Sequence, residues 1–177
     1  IKMSARIPLM ALKQFLKKEI VNSKRILDIG CGDGKIALYL ISSLNCYVDG
    51  IDLDKGKVHR ANEKFKKLPM RGLALCYLCD SRNINKKFKT NTFDIILITH
   101  TLHHLVGLNE VLLKARYVLK QKGKIIIGEY KQKYGERIDN CPRFSNKKIK
   151  SMLRTAGFRN IKNHNTNKNF IIITAIK

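Results

Sequence analysis

Short apolar stretches alternate with longer amphipathic ones along the chain. The short stretches have the length of buried strands, and the longer ones repeat apolar residues at the spacing of one helix face. We predict strands at residues 25–29, 47–52, 73–79, 93–99, 124–130, 160–164 and 170–176, and helices at residues 8–21, 35–43, 54–67, 108–119 and 146–156. This alternation is typical of β/α units, in which helices cover both faces of a parallel sheet.

The last two predicted strands are separated only by the polar run 165–169, so we expect them to form an antiparallel hairpin. Gly157 follows the fifth helix and is predicted to cap it in a left-handed conformation. The expected fold is therefore α/β, with a seven-stranded, mostly parallel, doubly wound sheet that ends in a C-terminal antiparallel hairpin. Linkers and repeats are absent from the sequence, so one domain at residues 1–177 is predicted.

The composition indicates the compartment in which the protein is expected. No run of eighteen apolar residues occurs, and the first residues lack the layout of a signal peptide, so neither a membrane span nor secretion is expected. Cys76 and Cys79 have metal or redox spacing, but residues three apart in a strand face opposite sides of the sheet. We therefore expect five free thiols in a reducing cytoplasm, without a metal site.

The net charge of +23 has two interpretations. It is typical of proteins that neutralise nucleic-acid phosphates. However, the basic residues are spread along the chain and Lys greatly outnumbers Arg, which also fits a general compositional bias towards Lys and Ile.

A glycine-rich turn joins the first strand to the second helix: Leu27-Asp28-Ile29-Gly30-Cys31-Gly32-Asp33-Gly34. Its Gly-x-Gly-x-Gly spacing differs from the Gly-x-Gly-x-x-Gly of dinucleotide binders, which hold a pyrophosphate. Asp28 and Asp33 flank the turn, so its charge favours a cationic ligand over an anionic one. The alternative is a tight strand–helix turn without a ligand.

Carboxylates also end the next two predicted strands, although the chain has only 13 acidic residues. Asp52 ends the second strand, where a carboxylate can accept hydrogen bonds from ribose hydroxyls. Its alternative role, capping the next helix, suits Asp54 better. Asp80 ends the third strand and could accept from an amine, or instead form an Asx-turn in its own loop.

The run 27–34 resembles the first motif of class I S-adenosylmethionine-dependent methyltransferases. The resemblance covers about residues 23–177 and implies a Rossmann-like fold with S-adenosylmethionine as the cofactor. It further implies that Asp28 orients the cofactor's amino group, Asp52 binds ribose, Leu53 lies against adenine and Asp80 accepts from the adenine amine. The cofactor site implied in this way comprises Asp28, Gly30, Cys31, Gly32, Asp52, Leu53, Asp80, Ser81 and Thr99.

Three histidines follow the fourth strand, where the methyl acceptor is expected: His100, His103 and His104. Methyl transfer needs a base only if the acceptor must lose a proton, and histidine titrates in the useful range. Any one of them could instead pack or cap the loop. Glu129 and Tyr130, at the end of the fifth strand, are further candidates for the acceptor pocket.

The acceptor itself stays open. Residues 103–105 and 119–129 resemble quinone-biosynthesis C-methyltransferases, which favours a small-molecule acceptor. The Asn/Asp-Pro-Pro-Tyr/Phe motif of enzymes that methylate exocyclic base amines is absent. An RNA or ribosomal-protein methyltransferase, suggested by the charge, and a cofactor-binding subunit that needs a partner are the alternatives. Residues 1–22 could form a lid, and residues 131–145 a substrate loop.

Overall fold

The computed structural model describes residues 2–21, 24–68, 72–132, 134, 140–165 and 169–177. A seven-stranded sheet forms its centre, with strand order β3-β2-β1-β4-β5-β7-β6. The strands are β1 Arg25–Ile29, β2 Tyr47–Asp52, β3 Ala74–Leu78, β4 Phe93–Thr99, β5 Leu119–Tyr130, β6 Arg159–Asn165 and β7 Phe170–Ile176. The helices are α1 Lys2–Glu19, α2 Lys35–Leu44, α3 Lys55–Lys66, α4 Ile84–Lys87, α5 Leu108–Val118 and α6 Asn146–Thr155.

The sheet has the predicted topology. Strands β1 to β5 pair in parallel, whereas β7 pairs antiparallel with both β5 and β6. The chain first builds outward from β1 through β2 to β3, and then returns to place β4 on the other side of β1. The carboxyl ends of β1 and β4 therefore flank a topological switch point, where open α/β sheets bind their ligands.

The central strands are apolar on both faces because helices cover the sheet on each side. One buried cluster joins the sheet to α4, α5 and α6 and includes Leu27, Ile98 and Leu112. The second joins it to α1, α2 and α3 and includes Leu16 and Leu40. This near-continuous burial is what a parallel sheet between two helix layers requires.

Element boundaries differ from the predictions at three places. Helix α1 starts at Lys2 rather than residue 8, and from residue 9 onward its apolar side chains pack on the sheet. Strand β5 starts at Leu119, because the chain stays paired with β4 through a register shift near Phe93. The four-residue helix α4 and two short 3₁₀ helices, Ser81–Asn83 and Leu102–His104, were not predicted, since they are too short to show a helical period.

The predicted cap of α6 is confirmed, because Gly157 has φ +84°. Its amide donates to the carbonyl of Arg154, which closes the last turn of the helix. Over the ranges described above, no helix has both the length and the apolar character needed to cross a membrane.

Candidate active site

A cavity of about 370 Å³ opens at the carboxyl edge of the sheet, beside the switch point. Its walls come from the turn after β1, the end of β2, the loop after β3 and the segment after β4. The lining residues are Ile29, Gly30, Ile51, Asp52, Leu53, Asp54, Lys57, Cys79, Ser81, Thr101, His104 and Leu105.

The glycine-rich turn forms one wall through its backbone. Gly30, Gly32 and Gly34 all have positive φ, which side chains other than glycine rarely adopt. A Cβ atom on Gly30 would lie 2.1 Å from the side chain of Thr101, and one on Gly34 would lie 2.7 Å from Phe65. At Gly32, in contrast, a Cβ would meet nothing within 4 Å. The protein itself therefore requires glycine at two of these positions, while the third faces open space.

Asp52 is fixed at the cavity by backbone amides. Its Oδ2 accepts from the Gly32 amide at 2.8 Å, and its Oδ1 accepts from the Asp54 amide at 2.9 Å. The carboxylate thus links the end of β2 to the glycine-rich turn and keeps lone pairs for a ligand. Asp54 caps α3 by accepting from the Lys57 amide at 2.9 Å, so the capping role falls to Asp54 as predicted.

Asp28 precedes the cavity-lining residues Ile29 and Gly30, is not itself among the lining residues, and has an unusual environment. Its side chain is buried, and Oδ1 has no hydrogen-bond partner. Burial, together with the negative charge of Asp52, raises the pKa of Asp28 to about 7. Buried polar atoms are nearly always satisfied, so an unpaired carboxylate oxygen indicates a place that a ligand can complete.

Most described acidic residues are paired with a cation, and Asp28, Asp52 and the exposed Glu110 are not. Lys, Arg or His side chains form ion pairs with Glu19, Asp33, Asp49, Asp54, Glu63, Asp80, Asp94 and Glu129. Within the part of the chain that the structure describes, no cation pairs with Asp28 or Asp52. In a protein with 36 Lys and Arg residues, these two carboxylates are available to a positively charged ligand.

Of the remaining predicted cofactor residues, some line the cavity and others do not. Leu53 is 69% exposed on the cavity wall, and Ser81 lines the same cavity. Asp80 accepts from the Arg82 amide at 2.8 Å, which is the Asx-turn considered above, and pairs with the Arg82 guanidinium at 2.6 Å. This pair holds the pKa of Asp80 below its ordinary value. Thr99 is buried at the end of β4 and does not belong to the cavity lining.

Cys31 points away from the cavity into the protein. Its Sγ lies 3.2 Å from the Sγ of Cys76, beneath Gly50, where a Cβ would collide with both sulfur atoms. All five cysteines are free thiols. Among the described residues, no group of three or more His, Cys, Asp or Glu side chains is placed to hold a metal ion.

The three predicted histidines have separate surroundings. His100 has φ +55° and packs its ring against Tyr130 and Phe170, at centroid distances of 4.9 and 5.1 Å. Burial lowers the pKa of His100, although nearby Glu129 opposes the effect. His103 is buried and its Nδ1 lies 2.7 Å from Glu129 Oε2. Only His104 belongs to the cavity lining.

The predicted acceptor residues Glu129 and Tyr130 are buried rather than open to the cavity. Glu129 contacts His103 and the guanidinium of Arg143, whose Nε lies 3.4 Å from Oε1. Tyr130 packs its ring against His100 and Tyr134. Both residues therefore support the wall behind the cavity.

Sequence reasoning missed several residues at or behind the cavity, and three of them bear on its chemistry. Thr101 lines the cavity and donates from Oγ1 to the Gly30 carbonyl at 3.3 Å. Lys57 lines it from the first turn of α3. Arg143 is buried although it lies in a polar segment that shows no period. Proximity to a predicted strand end could have indicated Thr101, but no sequence signal indicated Arg143.

These features fit the cofactor that the resemblance implies. A glycine turn with open space above Gly32 leaves room for a ligand, and Asp52 offers acceptors at the end of β2. The unpaired oxygen of Asp28 suits a cationic group, and S-adenosylmethionine carries both an ammonium and a sulfonium.

Comparison with known proteins agrees with this geometry. Residues 27–127 match the model of a family described as "Methyltransferase domain". The 27-O-demethylrifamycin SV methyltransferase of Amycolatopsis mediterranei is 27% identical over 106 residues, covering 60% of this chain and 38% of its own length. The chain spans only 38%, 25% and 38% of three curated relatives that it matches.

Solved structures share the fold. A crystal structure of an S-adenosylmethionine-dependent methyltransferase from Aquifex aeolicus has a TM-score of 0.80 and 24% identity, covering 93% of this chain and 88% of its own. The phosphoethanolamine N-methyltransferase 2 of Haemonchus contortus, solved with S-adenosylmethionine, has a TM-score of 0.79 and 18% identity, covering 94% and 52%.

The family match covers more than half of the chain and includes the glycine-rich turn, Asp52 and most of β5, up to Ile127. The fold and the cavity at its switch point agree with that match. The chain therefore belongs to the methyltransferase domain family.

Proposed function

We propose that this enzyme transfers the methyl group of S-adenosylmethionine to a small-molecule acceptor, with the cofactor bound in the cavity beside the glycine-rich turn. The observation that carries the proposal is the pair of carboxylates, Asp28 and Asp52, which have no cationic partner among the described residues. Burying the Asp28 carboxylate is costly unless it gains a partner, and Asp52 faces the cavity, so a cationic ligand explains why a carboxylate is present at each position.

Each residue has a defined task in this proposal. Asp52 accepts hydrogen bonds from the ribose hydroxyls, while the Gly32 and Asp54 amides hold its carboxylate in place. Asp28 stabilises the positive charge of the methionine portion. Leu53 covers one side of the adenine, with Ser81 and the backbone of Gly30 on the surrounding walls. The bound cofactor supplies an already activated methyl group, so alignment of the acceptor accounts for much of the rate.

His104 is the residue best placed to serve the acceptor, because it is the predicted histidine that lines the cavity. It can accept a proton if the acceptor must lose one. A small-molecule acceptor is supported by the name of the rifamycin relative, although that protein is considerably longer than this chain.

The charge of +23 supports a second candidate, an RNA or ribosomal-protein methyltransferase. RNA binding of this kind would weaken steeply with salt, because each neutralised phosphate releases counterions. Flat, weak binding of tRNA and rRNA fragments between low and moderate salt would exclude it. A cofactor-binding subunit without its own transfer activity is the third candidate, and transfer by the purified chain alone would exclude that one.

The five free thiols support a reducing compartment, and we place the enzyme in the cytoplasm. Fractionation of cells that express the tagged protein tests this location. Recovery of the protein outside the cytoplasmic fraction would contradict it.

The test of function combines cofactor binding with transfer. The purified protein is titrated calorimetrically with S-adenosylmethionine, and is then incubated with the methyl-labelled cofactor and a cell extract. The label is sorted into metabolite, RNA and protein fractions, and we expect it among the metabolites. Label in RNA or protein would contradict the small-molecule proposal, and absence of cofactor binding would contradict the proposal as a whole.

A matched pair of variants tests the ribose contact. Asp52→Ala should weaken cofactor binding by about 2–3 kcal/mol, because charged hydrogen bonds to both hydroxyls are lost. Asp49→Ala is the control, since Asp49 lies on the same strand but pairs with Arg25 at 3.0 Å. It should lower stability without changing affinity. Equal affinity in wild type and Asp52→Ala would refute the ribose assignment.

A further inference from the structure

A buried polar network lies directly behind the cavity. Glu129 Oε2 is 2.7 Å from His103 Nδ1, and Glu129 Oε1 is 3.4 Å from Arg143 Nε. The side chains of all three residues are at most 2% exposed. The Tyr130 amide also donates to Glu129 Oε1 at 2.8 Å. Every oxygen of this carboxylate therefore contacts the protein.

The network joins three separate parts of the chain. Glu129 lies near the end of β5, His103 in the 3₁₀ helix after β4, and Arg143 in the segment that leads to α6. Buried ion pairs contribute little to stability compared with apolar packing of the same volume. They do fix the relative positions of the groups that they join, because breaking one leaves a charge without a partner.

The partner of His103 also decides its hydrogen-bonding state. An ionised carboxylate can only accept hydrogen bonds, so His103 donates through Nδ1–H. The ring of His103 is 3.9 Å from the ring of His104 between centroids, with the planes inclined at 49°. His103 is thus held from behind by Glu129 and lies in contact with the histidine that lines the cavity.

We propose that Glu129 and His103 are positioning residues for His104. Glu129 fixes the ring orientation and tautomer of His103, and the His103 ring holds the His104 imidazole at the cavity wall. Neither Glu129 nor His103 touches the acceptor. This inference rests on the proposed function, in which the acceptor binds beside His104.

Glu129→Gln is the first test, because it keeps the shape of the side chain. The Tyr130 amide and the Arg143 guanidinium both face the Oε1 position and hold the glutamine oxygen there, which leaves the NH2 group opposite Nδ1 of His103. Nitrogen-15 NMR of the five histidine rings reports the tautomer directly. We expect the His103 signals to change tautomer in the variant and those of His164, which bonds Thr174, to stay unchanged. Cofactor affinity should stay within about twofold, because Glu129 is outside the cavity lining.

The second readout is the rate at which label from the cofactor appears in the metabolite fraction. Glu129→Gln should slow it roughly 10-fold to 100-fold, through the turnover rate rather than the Michaelis constant for the cofactor. His103→Asn is the companion variant, since its amide can still donate to Glu129 and so preserve the fold. His103→Asn should slow methyl transfer as much as Glu129→Gln does. The double variant should be little slower than either single variant, because both changes disrupt the same contact between Glu129 and His103.

Asp94→Asn controls for a general loss of stability. Asp94 forms a partly buried ion pair with Lys120 on the same β4–β5 pair, far from the carboxyl edge. It should change neither the tautomer nor the transfer rate. The inference is overturned if Glu129→Gln leaves the His103 tautomer unchanged, or if both variants transfer methyl groups at the control rate. A wild-type protein that fails to bind the cofactor would instead refute the proposed function, while the tautomer measurement would still stand.

Discussion

The two halves of the sheet's carboxyl edge are built in different ways. In the cofactor half, around β1, β2 and the glycine-rich turn, backbone atoms set the geometry through positive φ angles and through amide groups that donate hydrogen bonds to Asp52. In the acceptor half, around β4 and β5, side chains from distant segments set it, through the ring contacts of His100 and the ion pairs of Glu129. The first half depends on short sequence motifs, and the second on long-range packing.

The two halves also differ in whether their carboxylates have cationic partners. Among the residues that the structure describes, the cofactor half offers no cationic partner to Asp28 or Asp52, whereas the acceptor half neutralises Glu129 with Arg143. We expect changes in the first half to alter cofactor affinity and stability, and changes in the second to alter turnover alone. Four substitutions test that separation.

The largest expected effect is the pH dependence that Asp28 imposes on stability. Its pKa is about 7 in the folded protein against the ordinary value of 3.8 for an aspartate in the unfolded chain, so between these pH values the folded state binds a proton that the unfolded state does not. The contribution of protonated Asp28 to the free energy of unfolding is fully present below about pH 4 and is lost as the pH rises through about 7.

Without cofactor, the wild type should therefore lose roughly 4 kcal/mol relative to Asp28→Asn across that range, at about 1.4 kcal/mol per pKa unit. Urea denaturation of both proteins as a function of pH measures the difference. Parallel stability curves would show that the Asp28 carboxylate is not destabilised by burial.

Gly30→Ala should cost roughly 3 kcal/mol of stability. The new methyl group lies in a left-handed backbone conformation and collides with Thr101, so strain and overpacking add. Gly72→Ala is the control, because Gly72 has φ +84° but open space around it. It should lose about 1 kcal/mol, from backbone strain alone. Equal losses in thermal denaturation would mean that contact with Thr101 is unimportant.

His104→Gln tests the acceptor half. Transfer should fall roughly 10-fold to 100-fold if the acceptor loses a proton to His104. Cofactor affinity should change little, because the carboxylates and the glycine-rich turn are untouched. A single-turnover assay with labelled cofactor separates the two quantities. A fall in cofactor affinity without a fall in the transfer rate would show that His104 contributes to cofactor binding instead.

The smallest effect is expected at Asp80. Asp80→Asn should weaken cofactor binding by about 1 kcal/mol, if the carboxylate accepts from the adenine amine. Arg82→Ala removes the present partner of Asp80 and should leave affinity unchanged or slightly higher. Calorimetry of both variants decides between the adenine contact and an Asx-turn that serves only the loop.

Most of the fold was predictable, because burial in a parallel sheet imposes clear periods. All seven predicted strands are present, and the β6–β7 hairpin follows from the polar run between them. The residues at the strand ends, Asp28 and Asp52, could be placed because a strand end is a local property. Short helices such as α4 could not, since four residues carry no period.

The acceptor half was less predictable for a physical reason. The positive φ of His100 turns the chain after β4, so three nearby histidines face three different surroundings. Thr101 rather than Thr99 reaches the cavity for the same reason. The burial of Arg143 depends on Glu129, which lies fourteen residues earlier. Neither local propensity nor spacing contains this information.

The central claim is that Asp28 meets the positive charge of the cofactor. Calorimetric titration of S-adenosylmethionine at about pH 6 and about pH 8, into wild type and Asp28→Asn, tests it most directly. The quantity compared is the ratio of wild-type affinity to Asp28→Asn affinity, because titration of the ligand itself affects both proteins. This ratio should rise roughly tenfold from about pH 6 to about pH 8, since only ionised Asp28 attracts the cation. A ratio that does not change with pH would contradict the account.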